Sequence, residues 1–118
     1  FIMNSRIISL LAIIICFTGC SYDKGELLYP GMVDCSSVNA SFTINVQPII
    51  QASCAIAGCH DAASTNKGGP FTNYNLVKNK ASIIKSQVTS GAMPQGSSLS
   101  ANQIKLISCW VDSGALNN

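Results

Sequence analysis

The stretch Cys54-Ala55-Ile56-Ala57-Gly58-Cys59-His60 decides how this chain is read, because it places two thiols and an imidazole in one short segment. Two cysteines followed at once by a histidine, in the order C-x-x-C-H, form the attachment motif of a c-type haem. The chemistry sets that order: each thiol adds across a vinyl group of the porphyrin, and the adjoining imidazole is held under the iron as proximal ligand. Here four residues separate the cysteines instead of two. Ala55, Ala57 and Gly58 are small enough for the longer loop to bulge and still span both vinyl positions. The same residues also fit a structural or redox disulfide, or half of a zinc site, with the histidine in a structural role.

Around this stretch the chain is short. Its 118 residues and formal charge of +2 leave room for one domain and not for a large enzyme. Residues 3–20 read as a secretory signal, with Arg6 ahead of an apolar run over 7–17 that is too short to cross a bilayer as a helix. Phe1 and Ile2 are expected to precede the true start at Met3. The run ends in Phe17-Thr18-Gly19-Cys20-Ser21, which resembles a bacterial lipobox and makes Cys20 the expected lipidation site. An ordinary signal peptide or an uncleaved anchor is the alternative. The expected organisation is a lipoprotein signal over 1–20, a flexible tether over 21–37 and a domain over 38–118. The domain then faces the periplasm or the cell surface, where c-type haem is attached and disulfides persist.

The cysteines can be counted out on that basis. Cys16 leaves with the signal and Cys20 takes the lipid. If Cys54 and Cys59 go to haem, Cys35 and Cys109 remain, and an oxidising compartment favours their pairing into a disulfide. The competing account joins all four mature cysteines in two disulfides, for which three connectivities exist. Charge points to no polyanionic partner: the six lysines are scattered and form no basic stripe, which argues against nucleic acid.

Gly25, Pro30 and Gly31 break any period in the tether. Helical spacing begins with Phe42, Val46, Ile49 and Ile50, and predicts a helix over about 46–53, entered through Pro48 and delivering the cysteines at its end. Residues 61–79 read as loop, long for so small a domain unless it wraps a ligand. A short helix is expected over 81–88, then a loop over 90–96. The last helix is the clearest element: Ser100 and Gln103 form a capping box, Ile104, Ile107 and Val111 a stripe widened by Leu106 and Trp110, and Gly114 a stop.

The order of these parts resembles the small soluble cytochromes c of bacteria, class I-like, over about residues 39–116. The resemblance rests on Val46-Gln47-Pro48-Ile49-Ile50 leading into Cys54, Cys59 and His60; a Gly-rich loop; Gly91-Ala92-Met93-Pro94; and Leu99-Ser100 opening a helix that closes with Trp110-Val111-Asp112-Ser113-Gly114-Ala115. It implies an all-α fold of about three helices wrapped around one covalent haem c. Cys54 and Cys59 would carry the thioether links, His60 the proximal and Met93 the distal coordination of iron, with Pro94 stiffening the loop that holds Met93. A backbone carbonyl at Gly69-Pro70 would accept a hydrogen bond from the proximal imidazole, Tyr74 would bond a haem propionate, and Trp110 would pack between the first and last helices with an edge against the porphyrin. His60 is the only histidine, so bis-histidine ligation within the chain is excluded.

The function these residues imply is single-electron transfer between protein redox partners by a lipid-anchored, monomeric carrier without a small-molecule substrate. With both axial positions filled, the chain is not expected to be an enzyme; a peroxidase would need an acid/base group beside the iron, and no second histidine exists to serve. The alternative from another class is a haem-free, disulfide-stapled surface lipoprotein acting as a binding module. It leaves unexplained why His60 follows Cys59 directly.

Overall fold

A computed structural model describes residues 33–118. The signal segment, the lipidation site Cys20 and most of the tether lie outside the described residues. Among those described, all regular structure is helical and there is no strand, so the fold class is all-α. A π-helical turn, Phe42–Val46, runs directly into α1, Gln47–Ser53; α2 is Tyr74–Asn79, α3 Ala81–Thr89 and α4 Ala101–Asp112. No helix among them is long and apolar enough to cross a membrane.

The helical path begins four residues earlier than the expected Val46, and its chemistry explains why. The Ser41 hydroxyl accepts from the Ile44 N–H, and the N–H groups of Val46 and Gln47 reach back five residues to the carbonyls of Ser41 and Phe42. Pro48 then falls in the first turn of α1, where its missing N–H costs no hydrogen bond. A correction is needed at 61–79, which is not loop throughout: its last six residues form α2, capped by Asn73, whose side chain accepts from the Leu76 N–H at 3.1 Å. Only Val77 of α2 is buried, too little to produce an apolar period. α3 and α4 lie where they were expected. Both hydrogen bonds of the α4 capping box are made, Gln103 N–H to the Ser100 hydroxyl at 3.2 Å and Ser100 N–H to Gln103 Oε1 at 2.9 Å.

The core sits where the start of the helical path crosses α4. Phe42 packs against Trp110 with ring centroids 5.5 Å apart and edge-on against Tyr74 at 5.1 Å. Gly114, at φ 100°, turns the chain back after α4, and the tail then serves three elements. Leu116 accepts from the Trp110 indole N–H at 2.8 Å, Ala115 from the Tyr74 hydroxyl at 2.9 Å, and Asn118 from the Thr43 N–H at 2.9 Å. Cys35 and Cys109 form a disulfide that spans 74 residues of sequence. Val33, Cys35 and Val38 pack on the core, so the folded unit includes part of what composition reads as tether.

Two outcomes follow in equilibrium denaturation of the mature chain. Replacing Cys35 and Cys109 together by Ala should cost about 2–4 kcal/mol, because so long a loop is freed in the unfolded state. Ser108 is fully buried in α4 and its hydroxyl has no hydrogen-bond partner. Ser108→Ala should therefore stabilise the fold by about 1 kcal/mol, raising Tm by several degrees; a lower Tm would show that the hydroxyl has a partner.

Candidate functional site

After α1 the chain folds the Cys54–His60 stretch into a tight bulge. The Cys54 and Ala55 N–H groups still reach the Ile50 carbonyl, and the His60 N–H closes the loop onto the Cys54 carbonyl at 3.0 Å. Gly58 makes the bulge possible: its φ of +79° is a backbone state that side chains with a Cβ rarely adopt. Asn66 fastens the loop from outside, its amide donating to the carbonyls of both Gly58 and Cys59, and the Ser64 hydroxyl donates to Cys59 as well. The four-residue spacing is thus an ordered turn held by specific bonds.

His60 is buried and its orientation is fixed twice over. Its Nδ1 lies 2.8 Å from the Gly69 carbonyl. A carbonyl can only accept, so Nδ1 carries the proton, and in the neutral ring Nε2 keeps a free lone pair. Phe71 stacks on the ring at 4.3 Å between centroids, and its own N–H returns to the His60 carbonyl at 2.9 Å. Gly68 and Gly69, at φ +114° and +79°, make the reversal that aims the Gly69 carbonyl at the imidazole. Pro70 follows as a half-buried residue.

These residues open onto a cavity of about 670 Å³, within the usual range for small-molecule and cofactor sites. Cys54, Cys59, His60 and Met93 all line it, so the structure brings together four residues that the sequence scatters over 40 positions. Ile83, Ile84 and Val88 of α3 form an apolar wall. Ile83 is 56 % exposed and Ile56 43 % exposed, and both border this cavity; apolar surface left open beside a cavity is what an apolar ligand would cover.

Trp110 packs between the start of the helical path and α4 as expected, and Tyr74 joins the same Phe42 cluster. Neither lines the cavity: the Tyr74 hydroxyl is spent on Ala115 and the Trp110 N–H on Leu116, and both rings pack on Phe42. Missed in the sequence were Phe71, Asn66 and the α3 wall. Ile84 and Val88 stand one helical turn apart, a signal for an apolar face but not for what that face meets.

Cys54 and Cys59 are both free thiols while Cys35 and Cys109 are paired. Burial pushes the Cys54 thiol up, and the nearby Cys59 adds to the effect. Among the described residues no three His, Cys, Asp or Glu side chains gather as a zinc site would require. No family model, curated protein or solved structure matches the chain.

The raised Cys54 value means less thiolate at any given pH, and Cys54 is buried where Cys59 is half-exposed. Iodoacetamide should therefore modify Cys59 first in the haem-free protein. The Cys54 rate should still be climbing at a pH where an ordinary thiol has levelled off. Faster labelling of Cys54, read by peptide mass, would contradict this placement of the two thiols.

Proposed function

We propose that this chain is a small c-type cytochrome, exported and lipid-anchored, that carries single electrons between larger redox proteins. The observation that carries the reading is the shared cavity: two free thiols, an imidazole with its Nε2 lone pair unspent and a methionine thioether face one apolar space. The finer fold reading goes with it, a cytochrome c-like fold in which α1, α3 and α4 surround one covalent haem c.

The residues fit that group chemically. Each sulfur of Cys54 and Cys59 would form one C–S bond to a vinyl carbon while the thiol proton goes to the neighbouring carbon, an addition that consumes no oxidant. The Gly69 carbonyl holds the His60 proton on Nδ1 and so would leave Nε2 for iron. Met93 offers a soft thioether, which suits haem iron. A haem held by His and Met supplies a one-electron ferrous/ferric couple of raised potential. Ile83, Ile84 and Val88 would keep water from the ring. Because His60 and Met93 would both hold the iron, no position would be left for a substrate, and the reading is a carrier and not an enzyme.

Produced as the full chain with a cytochrome c maturation system, the reduced protein should show the sharp bands of a six-coordinate haem and should not bind carbon monoxide. Met93→Ala should bind carbon monoxide and have a lower reduction potential. A wild-type protein that binds carbon monoxide as readily as the variant would remove Met93 from the iron and the simple-carrier reading with it.

A further inference from the structure

We propose that the Lys80 ammonium, with Lys67 as a second cation, pairs with the carboxylate groups of the haem and keeps them ionised. The inference rests on the haem reading above and extends it to the polar edge of the ligand. Lys67 and Lys80 line the cavity, and among the described residues no Asp or Glu does. The other titratable groups facing that space among the described residues are Cys54, Cys59 and His60, which the haem reading already commits to thioether bonds and to iron.

The two lysines also stand apart from most other cations of the domain. Lys85 pairs with Asp112, the one ion pair among the described residues, and the Lys78 ammonium donates to the carbonyls of Gly114 and Ala115. Lys67 and Lys80 have no such partner among the described residues. Lys80 is half-buried and sits directly between α2 and α3. It therefore stands at the start of the helix whose Ile83, Ile84 and Val88 form the apolar wall. An apolar wall headed by an unpaired cation suits a ligand with an apolar body and acidic groups at its edge, and haem has that form. An opposite charge within a few ångströms favours the ionised carboxylate and lowers its pKa by about 1–3.

The test is the reduction potential of the haem-loaded full chain as a function of pH, for wild type, Lys80→Met, Lys80→Arg and Lys105→Met. Lys105 is on α4 and does not line the cavity. Wild type and Lys105→Met should give profiles that are flat above about pH 5. In Lys80→Met the ionisation step should move up by about 1 pH unit, with a lower potential above the step, because an uncompensated carboxylate favours ferric iron. Lys80→Arg should restore the flat profile, and adding Lys67→Met to Lys80→Met should enlarge the shift. Failure of Lys80→Met to load haem while Lys80→Arg loads normally would also support the pairing. A Lys80→Met profile that overlies wild type on fully loaded protein overturns the pairing and leaves the haem reading standing. Loading failure of both variants overturns it too, since the side chain would then serve the fold and not the charge. A wild-type chain that takes up no haem overturns the proposed function and this inference together.

Discussion

Trp110 has no exposed surface, and every part of it is committed. Its ring lies against Phe42 at the start of the helical path, its N–H is bonded to the tail that follows α4, and the residue before it is tied by disulfide to Cys35. An indole buried in this way is worth about 3–5 kcal/mol on truncation to Ala, a large share of the stability of a domain this small. The crossing fixes the two ends of the folded unit against each other. Everything between them, from the cysteine bulge to the Met93 loop, is then free to surround a cavity without having to hold the ends together.

That division explains why the middle of the chain can be rich in loops. Residues 54–73 contain no regular helix or strand, yet their carbonyls and side chains are bonded in a definite pattern. The order is local and polar. Asn66 and Ser64 hold the bulge, paired left-handed glycines turn the chain, and His60 is fixed between Gly69 and Phe71. Such a loop has little apolar surface of its own to bury, which is consistent with the proposal that a large flat ligand completes the core.

How much of this could be read in advance depended on the range of the interaction. α4 was legible to within a residue because its capping box and apolar stripe are encoded within a dozen positions. The Gly69 carbonyl could be named as a partner for His60 only through the resemblance to small cytochromes c, since no residue pattern in the loop specifies that bond. α2 was not legible, since one buried valine gives no period. Trp110 was legible as packing between the first and last helices, whereas the place of Tyr74 was not. Both rings belong to the Phe42 cluster, and the Tyr74 hydroxyl finds its acceptor 41 residues away, a pairing that no local pattern announces. The α3 wall was visible as an apolar face, but that it lines a cavity together with Cys54 and Met93 shows only in the fold.

The central claim is covalent capture of one haem by the Cys54–His60 bulge, and its most direct test is the intact mass of the mature protein after denaturation and reduction. The account predicts a mass greater than the polypeptide by one haem, retained in denaturant and lost when Cys54 and Cys59 are both replaced by Ala. A bare polypeptide mass from cells that mature other c-type cytochromes would contradict it, and would favour a haem-free surface lipoprotein closed by the Cys35–Cys109 disulfide.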